Sequence, residues 1–189
     1  MTSPLDFIAG QPADWDVEKF LHGDEVDTAL ITLERNRLTF AWKCAGIGAD
    51  GMALRLAPSS LTLAGLLRHL AWVEELYFQH RLADRPVVAP FDRLDLETDW
   101  EDWPWRSDDD TPSALRALWA DAVHRSRVSL AEALSNDGLD QTTHSGMSLR
   151  RLLADVIEEY ARHTGHADLL REAVDGSTGE GAPRDFPVP

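Results

Sequence analysis

Cysteine is almost missing from this chain: Cys44 is the single one among 189 residues. That excludes an internal disulfide framework and fits a reducing compartment. Long apolar runs are missing as well. No stretch approaches the ~20 residues that a membrane helix needs. The opening MTSPLDFIAG has neither a basic leader nor an apolar segment of signal length. Positive charge is scarce: 18 Lys and Arg stand against 33 Asp and Glu, a formal net charge of −15. Nucleic acid and anionic membrane both select basic surfaces, so neither is expected as a partner. Strand-like alternation and internal repeats are also lacking. The expectation is a cytoplasmic protein that handles small molecules.

What is present is helical periodicity. Hydrophobic residues make up 43% of the chain, enough for one sizeable core. The first segment, about 24–47, carries Val26, Leu30, Leu33, Arg37, Phe40, Ala41 and Cys44 at 3–4 spacing, and Gly46 and Gly48 end it. The second follows APSS, where Ser59 or Ser60 suits an N-cap, and runs to about Ala83 with Leu63, Leu66, Leu70, Val73 and Tyr77 in line. The third starts at DDDTPSALRALW, where acidic residues and Pro112 favour a helix N-terminus, and stops near Asn136–Gly138. The fourth, about Ser148 to Val174, lines up Leu149, Leu153, Val156, Tyr160, His163, Ala167 and Leu170. Between the second and third lies an acidic, proline-bearing, tryptophan-rich stretch without helical period. Four helices and one long crossover predict an all-α fold, a four-helix bundle. Residues 1–23 read as an irregular lead-in, 24–175 as the bundle and 176–189 as a Gly/Pro-rich tail.

The stretch VIEEYARHTGHADLLRE carries the chemistry. With Val156 at zero on a helical wheel, Tyr160, His163 and Ala167 fall within ~40° of it. Glu159 lies ~60° to one side with His166 nearby, whereas Glu158 faces water. Glu159 and His163 are therefore i, i+4 neighbours on the flank of an apolar stripe. A half-buried carboxylate beside an imidazole needs a partner, and a divalent cation satisfies both. In the second helix His69 holds the same flanking position. His80 lies ~16 Å further along that axis; His124 points off its stripe, His144 is in a loop and His22 in the lead-in. The expected metal ligands are His69, Glu159 and His163. Two imidazoles and a carboxylate suit zinc, nickel, iron or manganese better than calcium or magnesium, and three protein ligands leave a position open. The plainer alternative is a helix-surface Glu/His pair with a packing histidine.

Other residues stay open between two readings. Arg37, inside the apolar stripe, is a clamp for a substrate carboxylate, or it snorkels or pairs with a carboxylate. Cys44 is a nucleophile or a packing thiol. Trp72 lines a pocket or a dimer face. Trp100, Trp103 and Trp105 cap the site or pin the crossover. Tyr160 stands in the stripe beside the proposed ligands.

At these residues the sequence resembles the DinB-like superfamily, in its actinobacterial DUF664 branch. The likeness rests on PSSLTLAGLLRHLAWVEELYF, on IEEYARHTGHADLLREAVDGSTGE and on LTFAWKCAGI, and covers roughly residues 24–180. It implies an up-down-down-up bundle and a metal held by one residue of helix two and two of helix four, here His69, Glu159 and His163. His166 then falls behind the ligands or faces substrate. The related mycothiol-dependent maleylpyruvate isomerases carry glutamate at the position of Glu159. The resemblance implies a divalent metal, zinc or nickel foremost, with mycothiol or a similar low-molecular-weight thiol as cosubstrate. It leaves three readings: a thiol S-transferase acting on a small electrophile, a hydrolase using metal-bound water, and a non-enzymatic metal-binding bundle. A homodimer is expected.

Overall fold

Four short polar side chains start the four long helices. Asp24 accepts from the Asp27 N–H at 2.9 Å, Thr62 from Gly65 at 2.9 Å, Thr111 from Ala114 at 3.2 Å and Ser148 from Arg151 at 3.2 Å. Each bond satisfies a first-turn donor that the helix itself leaves unpaired. A computed structural model of the chain describes residues 22–94, 105, 110–136, 138–179, 181–183 and 186. Its long helices are α1 (Glu25–Cys44), α2 (Leu63–Glu74, prolonged by a π-helical segment Glu75–Leu82), α3 (Pro112–Leu134) and α4 (Leu149–Asp175). A single helical turn, Ala49–Met52, follows α1. Among the described residues there is no strand; Thr142 and Ser148 form one isolated bridge.

The helix ends have identifiable causes. Helix α1 stops at Cys44, short of the expected Ile47, and its last carbonyls are taken by arginines from two other helices. Arg171 Nη1 of α4 donates to the carbonyls of Trp42, Lys43 and Ala45 at 3.2, 3.1 and 2.8 Å. Arg116 of α3 donates to those of Cys44 and Ile47. Cations at a helix C-terminus also meet its dipole favourably. Helix α4 ends at Gly176, whose φ of 76° lies in the left-handed region that glycine enters freely. The expected cap of α2 needs correction. Ser59 Oγ accepts from the Leu61 N–H at 3.1 Å in a local turn, and Thr62 is the cap.

The second correction is the π-helical continuation of α2. A uniform 3.6 period aligns Tyr77 with Leu66, Leu70 and Val73. In the structure Tyr77 is only half-buried, while Phe78, Gln79 and Leu82 are buried. The wider turn rotates the inward face by about one residue. It begins where two consecutive carboxylates, Glu74 and Glu75, are both fully buried. Glu74 meets Arg37 and Tyr160, whereas Glu75 accepts from Arg125 Nε at 2.7 Å.

Helix α1 packs along α4, and α2 packs along α3 and α4. Leu30, Leu33, Phe40, Leu66, Leu70, Leu115, Trp119, Val156 and Tyr160 fill a common core, and Phe40 meets the Trp119 ring edge-on at 5.6 Å. Of the crossover, the turn Phe91–Arg93 buries Phe91 against Trp72, with ring centroids 5.4 Å apart. Trp100, Trp103 and nearly all of the expected lead-in lie outside the described residues. Early in the tail, Gly179 at φ 132° sits against the Trp42 ring. No described helix is long and apolar enough to cross a membrane.

Candidate metal centre

Two helices bring the proposed donors together. Glu159 and His163 stand one turn apart on the same face of α4, so their side chains reach one region. His69 faces them from the middle of α2. Glu159 Oε2 lies 3.3 Å from His69 Nε2 and 3.2 Å from His163 Nε2. One donor atom from each residue falls within 4.8 Å of the others. Two donors each ~2.0–2.1 Å from a tetrahedral zinc stand roughly 3.3 Å apart, so both Glu159 edges match such a polyhedron. The imidazoles meet edge-on, with centroids 4.7 Å apart and planes at 70°.

Burial grades the cluster. His163 is 6% exposed, and the His69 and Glu159 side chains are 15% and 30% exposed. The site is thus rooted in the core and open on the carboxylate side. Hydrogen bonds from His163 and then His69 hold the Glu159 carboxyl well below the usual carboxylate range, against the upward push of burial. Burial lowers the His69 pKa, and the Glu159 contact opposes this only in part. His166 is likewise lowered, by burial first and then by His163 and Arg162. At neutral pH the carboxylate is therefore ionised and His69 and His166 are neutral. Neutral imidazole and ionised carboxylate are the protonation states in which these groups bind a cation. The donor set fits a borderline divalent ion, and the carboxylate bridging two imidazoles is the charge arrangement such an ion would replace.

Around the donors the structure adds one residue and sets others apart. Trp105, from the crossover, lies flat on His69, with centroids 4.0 Å apart and planes 6° apart, and meets His163 at 5.4 Å. Spacing alone did not single it out from Trp100 and Trp103, because the crossover has no period to orient them. Gly65 makes this approach possible: a Cβ there would stand 3.3 Å from the Trp105 carbonyl oxygen. Trp105 also walls a cavity of about 220 Å³, with Met52, Thr62, Ala64, Asp110 and Leu115 among its other lining residues. His166 Nδ1 lies 3.2 Å from His163 Nδ1.

Arg37 and Tyr160 belong to another buried network. Arg37 grips Glu74 through two bonds of 2.8 and 2.6 Å and reaches Glu34 at 2.7 Å. Arg127 holds the far side of Glu34 at 2.7 Å. The Tyr160 hydroxyl donates to Glu74 at 2.5 Å and accepts from Trp119 Nε1 at 2.8 Å. Burial, with Glu74 beside it, pushes the Tyr160 pKa up. Arg37 is thus paired with two buried carboxylates. Cys44 is fully buried and burial raises its thiol to about 12, which suits packing and not nucleophilic attack. Trp72 is buried against Phe91. His124 and His144 are exposed, the latter 3.1 Å from Asp84.

The fold and the site define a class: a helical protein with a candidate two-histidine, one-carboxylate metal-binding group where two helices meet. The family model described as Mycothiol-S-transferase matches residues 29–176, and the chain belongs to that family. No curated protein matches the chain at a significant level.

Proposed function

We propose that this protein is a divalent-metal-dependent S-transferase that joins a low-molecular-weight thiol of the mycothiol type to a small electrophile. The observation that carries the reading is the convergence of His69, Glu159 and His163 on one point, within a chain of this family. Those three residues would hold the ion, zinc or nickel by the softness of the donors. A bound divalent cation lowers the pKa of a coordinating thiol, so that thiolate is available at neutral pH. Glu159 keeps its charge throughout, because its carboxyl is held far below neutrality; it serves as ligand and not as proton store. His69 is kept in place by the Trp105 ring on its face, which also keeps water off that side. The cavity that shares the Trp105 wall offers space for the body of a small substrate.

The architecture that serves this function is a single four-helix bundle over residues 24–175, up-down-down-up. The order of helices, the long connection between α2 and α3 and the packing of α1 on α4 support it. Residues 1–23 lead in, and 176–189 form a Gly/Pro-rich tail, of which Gly179 sits against Trp42 of α1. The protein acts in the cytoplasm as a homodimer, without nucleic acid or membrane as partner.

Metal content of the untagged protein tests the reading. The wild type should carry about one transition-metal ion per chain, and both His69→Ala and His163→Ala should lose it. Thiol-dependent turnover of model electrophiles should follow the metal through chelation and reloading. Turnover without thiol would assign water as nucleophile instead. A wild type that binds no ion would reduce the cluster to a Glu159 carboxylate shared between two imidazoles.

A further inference from the structure

We propose that His166 is a positioning residue: when an ion is bound it accepts the His163 Nδ1 proton and so leaves the His163 Nε2 lone pair to the cluster. The inference rests on the metal reading above and adds a residue to it. His163 uses its two nitrogens in different directions: Nε2 faces Glu159 at 3.2 Å and Nδ1 faces His166 Nδ1 at 3.2 Å. Two Nδ1 atoms at that distance form a hydrogen bond only if one carries a proton and the other does not. Only one of the two arrangements suits a cation. His163 must then carry its proton on Nδ1 and donate it to His166, and His166 must carry its own on Nε2. The reverse arrangement puts the His163 proton on Nε2, between the imidazole and Glu159, where the ion would have to sit.

The interaction has the form found behind metal-bound imidazoles, whose second nitrogen donates to an acceptor that fixes ring orientation and tautomer. That acceptor is usually a carboxylate or a backbone carbonyl; here it is a second imidazole, three residues along the same helix. The spacing serves the purpose, since i and i+3 side chains lie side by side on a helix. The rings stand 5.3 Å apart with planes at 52°, so the contact is made by the nitrogens and not by stacked faces. His69 is built differently. Among the described residues its buried Nδ1 meets no hydrogen-bond partner, and the ring is held by Trp105 on its face. Among the described residues, His163 has a neighbour able to take its Nδ1 proton when an ion occupies Nε2, and His69 has none.

Both arrangements contain the same number of protons. Passing from the one with Nε2–H on His163 to the one with Nδ1–H releases one proton from His163 Nε2. The proton between the two Nδ1 atoms moves to the His163 side, and one is taken up at His166 Nε2. His166 is only half-buried, so that last step can draw on solvent.

The test pairs calorimetric titration with Zn²⁺ and ¹⁵N spectra of the histidine rings, on wild type, His166→Leu and His166→Asn. Leucine keeps the bulk and removes the acceptor; asparagine restores an acceptor oxygen near the place of Nδ1. Zn²⁺ affinity should fall about 10- to 100-fold in His166→Leu, the usual loss for a group behind a ligand, and largely return in His166→Asn. In the Zn²⁺-loaded wild type, His163 should show a protonated Nδ1 and a bare Nε2. Unchanged affinity in His166→Leu, or His166→Asn as weak as His166→Leu, would overturn the proposal. The metal-free spectra separate this failure from that of the metal reading. A wild type that takes up no Zn²⁺ yet shows the Nδ1-to-Nδ1 hydrogen bond, lost in His166→Leu, would sink the metal site and leave the pair intact. Metal-free spectra without that bond would overturn the role of His166.

Discussion

Arg37 shows what a single residue in the wrong-looking place means. A guanidinium in the middle of an apolar stripe is legible in the sequence as an anomaly. Its partners are not, because Glu34 and Glu74 read as ordinary helix-surface acids until the helices are placed. The structure closes Arg37 between them, with Arg127 and Tyr160 completing their coordination. Removing one member of such a network leaves a buried charge behind. Arg37→Met should therefore cost about 3–5 kcal/mol in urea unfolding at pH 7. Adding Glu74→Gln should recover part of that, since the stranded carboxylate is gone. Metal content should stay at the wild-type level in both. A loss below about 1 kcal/mol would show that Glu74 finds another partner. The candidate ligands were easier to bring together, because His69, Glu159 and His163 stand out by residue type and helical spacing, and their donor atoms meet in one group. Trp105 could not be anticipated as a partner of His69, since it enters from a segment without period.

At the level of the helices, N-termini divide by whether one candidate or several compete. Asp24, Thr111 and Ser148 each stand immediately before a periodic segment and cap it. In SSLT three hydroxyl residues lie within four positions. Which one caps depends on where the chain leaves the preceding turn, and Thr62 holds the place. Thr62→Ala should thus cost about 1 kcal/mol, the usual value of a lost cap, whereas Ser60→Ala should stay within about 0.5 kcal/mol, as for an ordinary surface change. Thermal melts of the two variants decide it, and equal losses would contradict the assignment. The cap lies only two turns before His69, so a frayed α2 start would also loosen the Trp105 contact at Gly65. The π-helical segment had no sequence signal at all. Its cause is tertiary: Glu74 and Glu75 both turn inward to arginines on different helices, α1 and α3. Period analysis of α2 alone cannot contain that information.

Across the whole molecule two electrostatic effects oppose each other as pH falls. The formal net charge of −15 means that the compact state repels itself at pH 7. Partial protonation of surface carboxylates toward pH 5 relieves this, and added salt screens it. Specific pairs act in the other direction. Burial alone would raise the Glu34 pKa, yet Arg37 and Arg127 hold it below its ordinary 4.5. Asp175, bonded to Arg171 and Ser177, is lowered from 3.8 to about 2. For a lowered carboxyl the stabilisation is complete above the unfolded value. It drains away as pH falls through the folded one, because the unfolded chain takes up the proton first. From pH 7 to 5 the relief of surface repulsion is therefore opposed by His69 and His166, whose lowered values let the unfolded chain take up protons first, and below about 4.5 stability should fall. Added salt should raise the melting temperature more at pH 7 than at pH 5. Glu34→Gln separates the two effects, because it removes a titrating buried pair but changes the net charge by only one. It should be less stable than wild type at pH 7, and its loss between pH 4.5 and 3 should be shallower. If Glu34→Gln keeps the full wild-type acid slope in urea unfolding, the acid limit belongs to the surface charge as a whole and not to the buried pairs.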